Sequence, residues 1–580
     1  MSIKQNLLEN YNSEKTMAAL EELTLTALIK RSADLYADYP ALAFVGDTPI
    51  TYAQMYQKIN EVSQLLREQG IGFGDKIAIL SESMPNWGIV YFAILKLGAI
   101  AVPILPDFHP NQIRHIIKHS DCKGIFVSEK LYDKLMERET IQLSLMVLIE
   151  TFALIPEESP VEFITDLIKK GSRELEKLKD ATLRIAGIEA HKVKEDDIAC
   201  ILYTSGTSGQ SKGVLLTHKN LAANAEFGTQ IVDVSSKDRF LSILPLSHTY
   251  ECTVGFLLPI LQGACIYYLS KPPTARVLIP AMAEVKPTYM LSIPLVIEKI
   301  FRAKILPKLT NSAIKRKAYK IAWVRKKLHK VAGKKLKALF GNALRFYGVG
   351  GAPLAPDVEK FLIEGGFPYS IGYGTTETAP LIAGAAPFKT KYRSTGPAFK
   401  GMEVKIDNPN PETGEGEIIV KGISVMKGYY LDKDLTAEAF TTDGWYKTGD
   451  LGVLDEDGYL YIRGRLKNMI IGASGENIYP EEIETYFYEN DNVAEVIVHE
   501  LDNKLIARVH LDYEKIEEEF KSGSHSESKL KKRIESILSD IKNEVNDNVP
   551  GYCRINKIVE QTEPFEKTPT KKIKRYLYVN

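Results

Sequence analysis

Residues 76–128 alternate short apolar runs with helical stretches: KIAILSES, GIVYFAILKLG, AIAVPIL, HPNQIRHIIKHS and GIFVS. Unbroken apolar runs of this length suit strands buried on both faces, and the helical stretches between them supply the covers. That rhythm points to an α/β architecture of parallel strands layered with helices. Upstream, TLTALIKRSADLY spaces its apolar residues at helical intervals. AFVGDTPITYAQMYQKINEVSQLLREQG then reads as a hairpin followed by an amphipathic helix closed by Gly70. The run 88–105 is apolar enough to suggest a membrane span, but Lys96 and Gly98 interrupt it and Pro103 lies near its end. It is expected to be a core helix ending near Gly98, followed by a strand.

After the apolar run IACILY, residues 203–213 read YTSGTSGQSKG. Gly206, Gly209 and Gly213 stand among the hydroxyls of Thr204, Ser205, Thr207, Ser208 and Ser211, with one cation, Lys212. Glycines bring backbone N–H groups close to an anion, and hydroxyls and a lysine add donors, so a strand here delivers a phosphate-binding turn. It is not a Walker A loop, because Ser211 precedes Lys212 and Gly213 follows it. The total charge gives no argument for nucleic acid, since Lys+Arg and Asp+Glu both number 74. Five scattered cysteines without a CxxC pair argue against a disulfide scaffold or a zinc site and suit a reducing compartment. The start MSIKQNLLENYNSEK is polar and contains acids, unlike a secretory signal, so a cytoplasmic location is expected.

The loop resembles the phosphate loop of the adenylate-forming enzymes, the superfamily of acyl-CoA synthetases, luciferases and peptide-synthetase adenylation domains. Ser211 replaces the usual proline, with no loss of a phosphate donor. Three further motifs match. In FYGVGGAPLAPDVEKFL the strand LRFY is expected to lead into a turn 348–353 and a helix opening near Pro356; the resemblance puts Gly350, Gly351 and Ala352 beside adenine. In IGYGTTETAPLI it implies that Tyr373 stacks on adenine beside Gly374 and Thr375, that Thr376 bonds the α-phosphate, and that Glu377 holds Mg²⁺. In WYKTGDLG it implies that Asp450, expected at a turn after a strand, accepts the ribose hydroxyls, with Arg465 nearby. The LPLSH segment places His248, Tyr250 and Cys252 at the acyl pocket and its access.

The same resemblance implies a large N-terminal domain, residues 1–464, of parallel-type sheets layered with helices plus a barrel-like subdomain. A hinge over 465–468 at Lys467 joins it to a small mobile α+β domain, 469–580, with Asn468 where an acid is frequent. Ser474, Gly475 and Glu476 would lie along CoA. Lys572 maps onto the family's terminal catalytic lysine, although Lys571 replaces the preceding glycine. With Lys212, Thr376 and Glu377 it would catalyse acyl-AMP formation from ATP, and CoA would then take the acyl group. Similarity to bacterial long-chain fatty-acid–CoA ligases over nearly the full length makes a fatty acid the expected acyl group. Delivery to a phosphopantetheinyl carrier protein is the alternative, and a non-catalytic nucleotide- or membrane-binding relative is a third reading. Partners are therefore expected to be fatty acid, ATP and CoA, without nucleic acid. One stretch stands apart. Residues 302–337 hold fourteen Lys and Arg and no Asp or Glu, interleaved with Trp323, Leu328, Val331 and Leu336. This basic helical insertion, about 301–340, suits either peripheral contact with an anionic membrane or a solvated helix.

Overall fold

The computed structural model describes residues 20–135, 143–156, 191–205, 211–472, 477–502, 504–520, 527–568 and 572–579. The strand–helix rhythm becomes a sheet in which Lys76–Leu80 pairs in parallel with Ile100–Ile104 on one side and Cys122–Val127 on the other. Ile100–Ile104 leads to Ile198–Ser205, then antiparallel Ser211–Thr217, then Gly428–Tyr429 at the edge. The helix Pro85–Lys96 between two of these strands is buried on nearly every side, from Trp87 to Leu95. Its Gly88 lets the Phe256 ring approach to where a Cβ would meet ring carbons at 2.6 Å. That burial explains its membrane-like hydropathy. No described helix is long and apolar enough to cross a membrane.

A second eight-stranded sheet runs in the order Leu381–Gly384, Tyr369–Gly374, Phe346–Val349, Tyr289–Ser292, Arg239–Ser242, Cys265–Tyr268, Pro40–Phe44 and Ile50–Thr51. The expected hairpin and helix near the start are present as the last two strands and Tyr52–Glu68, with Gly70 left-handed at φ 74°. One apolar cluster joins the two sheets through Trp87, Phe92, Phe256 and Tyr289. A four-stranded antiparallel sheet, 402–465, follows. Beyond it, residues 478–555 build a separate core around Phe487, Val498, Val509 and Ile541. There Val493–Leu501 and Lys504–Leu511 pair antiparallel, Lys557–Glu560 adds in parallel, and the helices include Pro480–Phe487 and Glu527–Asn548.

Two local expectations need correction. The strand expected as LRFY runs Phe346–Val349, so Gly348 belongs to the strand and the turn begins at Gly350. Asp450 lies within the strand Tyr446–Leu454, opposite Arg465, because the left-handed Gly449 (φ 69°) kinks the strand without ending it. The basic insertion is a series of helical pieces ending in the long helix Ala322–Leu339, since Pro307 and the Asn311–Ser312 step interrupt the first turns. Residues 157–190, between the first sheet's edge strands and the strand Ile198–Ser205, lie outside the described residues.

Candidate active site

The hairpin Ile198–Ser205/Ser211–Thr217 pairs Thr204 with Lys212 and Tyr203 with Gly213. The residues between the two strands, including Gly206, Thr207, Ser208 and Gly209, lie outside the described residues, as does the Ser205 side chain. Lys212 projects toward a short 3₁₀ turn, Thr376–Thr378, where its ammonium is 3.1 Å from Glu377 Oε1. Tyr429, on the neighbouring edge strand, joins them. Lys212 Nζ donates to the Tyr429 hydroxyl at 2.6 Å, and that hydroxyl donates to Glu377 Oε1 at 2.9 Å. The Lys212 ammonium also sits 4.2 Å from the Tyr429 ring centroid. Sequence reasoning missed Tyr429, because its partners are 217 and 52 residues away and no local pattern marks it. Beside this cluster the Thr204 hydroxyl is buried without a hydrogen-bond partner. An orphan hydroxyl next to a lysine suits an anionic oxygen arriving from outside.

Tyr369–Gly374 ends where Gly374 passes the Pro380 carbonyl so closely that a Cβ would lie 1.7 Å from it. Thr375 then caps the turn by reciprocal bonds with Thr378, leaving Thr376 half-buried and Glu377 buried. Tyr373 is buried, and its hydroxyl donates to Asp450 Oδ2 at 2.7 Å. Arg465 Nε lies 2.8 Å from Asp450 Oδ1, so both carboxylate oxygens are engaged. Burial pushes the Asp450 carboxyl up, and Arg465, Tyr373 and Lys572 oppose that push.

Lys572 reaches this group from the far end of the chain. Its backbone exchanges hydrogen bonds with Thr568, and Arg575 pins the segment to Glu484 and Glu481 on the helix Pro480–Phe487. Lys572 keeps solvent contact, yet protein crowded around its ammonium lowers its pKa, as does Arg465, against the opposing pull of Asp450 and Glu377. Lys574 is taken by Glu566 at 3.1 Å. His248 lies near enough to feel Lys572. Burial, then the Lys572 charge, push the imidazole down to about 4, so it is neutral at pH 7. Its Nδ1 accepts from the Tyr250 N–H at 3.2 Å, which places the proton on Nε2. Lys467 is exposed in the 3₁₀ turn Leu466–Asn468, and Asn468 Nδ2 donates to Glu481 at 2.6 Å. Ser474, Gly475 and Glu476 lie outside the described residues.

At the end of Phe346–Val349 the Tyr250 ring lies over the backbone. A Cβ on Gly348 would meet its hydroxyl at 2.7 Å, and one on Gly350 its ring at 3.2 Å. Gly351 is left-handed at φ 87° and, like Ala352, exposed. Tyr250 and Val254 line a narrow cavity of about 20 Å³ with Ile231, Val232, Phe346 and Leu381. Cys252 is absent from that lining; it is buried beside Tyr91 and Cys200. Tyr250 stands on the threshold of a π-helix, Glu251–Leu257, which sequence periodicity did not reveal. Within it Glu251 is 1% exposed, and its Oε1 accepts from the Ser242 hydroxyl at 2.5 Å while Oε2 has no partner.

Comparison with known proteins bears on this arrangement. The family described as AMP-binding enzyme matches residues 29–430. YngI of Bacillus subtilis, described as a candidate acyl-CoA synthetase, is 30% identical over 83% of this chain and 86% of its own length. The peroxisomal long chain acyl-CoA synthetase 6 of Arabidopsis thaliana is 29% identical over 92% of this chain and 80% of its own. Among solved structures, the anthranilate CoA ligase AuaEII in complex with anthranoyl-AMP shares the fold, with a TM-score of 0.75 and 20% identity over 96% of each chain.

Proposed function

The chain belongs to the AMP-binding enzyme family, the adenylate-forming enzymes, and we propose that it is an ATP-dependent ligase making a fatty acyl-CoA by way of an acyl-AMP. The observation that carries this reading is the pair of clusters Lys212–Tyr429–Glu377 and Tyr373–Asp450–Arg465, with Lys572 near enough for its charge to act on Asp450 and His248. In the first half-reaction a carboxylate oxygen attacks the α-phosphorus of ATP, and the bond to the bridging oxygen breaks to release pyrophosphate. In the second, the CoA thiolate attacks the acyl carbon and AMP leaves with the electron pair of the C–O bond. Two anions meet in the first step, so cations and oriented donors must offset their repulsion.

Lys572 is assigned to the carboxylate and α-phosphate, Thr376 to the α-phosphate, and Asp450 with Arg465 to the ribose. Lys212 and the orphan Thr204 hydroxyl are assigned to the outer phosphates, with the glycine-rich turn. Among the described residues no three His, Cys, Asp or Glu side chains cluster as a metal site. Mg²⁺ is commonly held by one or two carboxylates plus substrate phosphates, and the buried Glu377 carboxylate would be its protein ligand. When bound, the ion neutralises developing phosphate charge. Lys212 Nζ and Glu377 Oε1 hold each other directly and through the Tyr429 hydroxyl.

We place the boundary between large and small domains at 464 and 469, with 465–468 as the hinge about Lys467. The separate core of 478–555 and the exposed turn at Lys467 support it. A swing there withdraws Lys572 after adenylation and presents CoA. A long-chain acid is supported by the relatives' substrate and by the apolar lining around Tyr250, although the cavity holds only about one water, so a long chain has to displace that lining. The test is release of AMP and formation of thioester from ATP, Mg²⁺ and CoA across saturated acids. Pyrophosphate and acyl-AMP without thioester would redirect the acyl group to a carrier protein.

A further inference from the structure

The helix Ala322–Leu339 divides its charges between two faces. On the inner face Arg325 donates to both oxygens of Glu364, at 3.0 and 3.2 Å, and His329 Nδ1 lies 2.7 Å from the same carboxylate. Tyr319 bonds His329 Nε2 at 2.7 Å, and Gly333 packs against Gly365 so closely that a Cβ would lie 2.3 Å from its carbonyl oxygen. Asp357 is likewise taken, by Arg302 at 3.1 Å. The nearby acids are therefore engaged on the buried side.

The outer face is different. Lys326, Lys327, Lys330, Lys334 and Lys335 are exposed, and none has a carboxylate within 4 Å among the described residues. At 100° per residue Lys327, Lys330 and Lys334 form one stripe with Trp323 at its head. Trp323 is 63% exposed and Val331 57%, and the Lys327 ammonium lies 5.1 Å from the Trp323 ring centroid. Just before the helix, Ile314 and Ile321 are 82% and 47% exposed. A helix that only needs solubility carries both signs of charge and no exposed tryptophan. Single-sign cations around an amphipathic aromatic and aliphatic side chains match a bilayer surface, where anionic headgroups meet the lysines and the apolar groups enter the interface.

We propose that this face docks the protein onto an anionic lipid bilayer. Nucleic acid would use the cations but leave Ile314, Ile321 and Val331 without a partner. The chain's formal net charge of zero makes the attraction local to this surface. The contact is peripheral, since no described helix spans a membrane. The inserted segment also joins Tyr289–Ser292 to Phe346–Val349, the strand that contributes Phe346 and Gly348 to the apolar cavity. Docking here puts lipid against the element that leads into that cavity. The inference stands on its own surface and does not require the acid to be long.

The test uses the full chain and two vesicle preparations, phosphatidylcholine alone and phosphatidylcholine with roughly one-third phosphatidylserine. Co-sedimentation is expected with the anionic vesicles only, weakening as salt rises. Lys327→Glu/Lys330→Glu/Lys334→Glu should lower binding about tenfold or more, and Trp323→Ser should weaken it without changing charge. Adenylation of a water-soluble short acid by each variant checks that the fold is intact. Equal binding to both vesicle types, no binding to either, or unchanged binding by the triple variant would overturn the proposal. A tighter grip on generic duplex DNA than on anionic vesicles, lost in the same variant, would also overturn it in favour of nucleic acid.

Discussion

Tyr429→Phe separates the hydroxyl that links Lys212 to Glu377 from the ring beneath the lysine. Phe keeps the ring, and with it a cation–π contact worth about 0.5–1 kcal/mol at a partly exposed site. It removes one bond accepted from Lys212 at 2.6 Å and one donated to Glu377 at 2.9 Å. Hydrogen bonds to charged groups are worth about 1.5–3 kcal/mol each. Lys212 is 31% exposed, and its direct 3.1 Å contact with Glu377 survives, so the net loss should be about 1–2 kcal/mol. That corresponds to a roughly 5- to 30-fold drop in kcat/KM for ATP. The assay is acid-dependent exchange of labelled pyrophosphate into ATP at varied ATP concentration, beside thioester formation from supplied acyl-AMP and CoA. The exchange should fall and the second half-reaction should hold. Unchanged ATP kinetics would refute the role given to the hydroxyl. Equal loss of both half-reactions would show that it supports the fold rather than phosphate binding.

Lys572→Ala should lose acyl-AMP formation heavily yet still convert supplied acyl-AMP and CoA to thioester, and equal loss of both would sink the domain alternation. The lysine charge is present at low pH and is lost as pH rises through its lowered pKa, so Lys572→Arg should move the alkaline limb of any residual adenylation upward. Burial raises Glu251 from 4.5 to about 8. Between those values the folded chain keeps a proton that the unfolded chain loses, so this group's contribution makes stability fall as pH rises. Glu251→Gln should flatten that slope, with thermal midpoints showing an advantage of a few kcal/mol that grows from about pH 5 to pH 8. Gly374→Ala places a methyl 1.7 Å from the Pro380 carbonyl oxygen and should cost at least about 3 kcal/mol, seen as poor soluble yield and a lowered Tm.

Local patterns were legible wherever burial imposed a period. The apolar runs became Lys76–Leu80, Ile100–Ile104 and Cys122–Val127, and the span-like segment became the buried helix Pro85–Lys96 and a strand, because hydropathy and Gly98 act within one element. Non-local pairings were not legible. Nothing near Tyr429 in sequence announces that its strand adds to Ser211–Thr217, or that Pro40–Phe44 pairs in parallel with Cys265–Tyr268. The placement of Asp450 inside a strand depends on one left-handed glycine, and the π-helix at Glu251 leaves no distinct hydrophobic period. Motif matching named Lys212, Glu377, Asp450, Arg465 and Lys572; the structure pairs Lys212 with Glu377 and Arg465 with Asp450, and the Lys572 charge acts on Asp450. It also named Cys252, which lies buried beside Tyr91 and Cys200.

The most direct test of the central claim is product analysis with ATP, Mg²⁺ and CoA across saturated acids from acetate to stearate. The account predicts AMP, pyrophosphate and acyl-CoA in equal amounts, with turnover highest for long chains. ATP consumed without thioester, or no acid-dependent pyrophosphate at all, would contradict it.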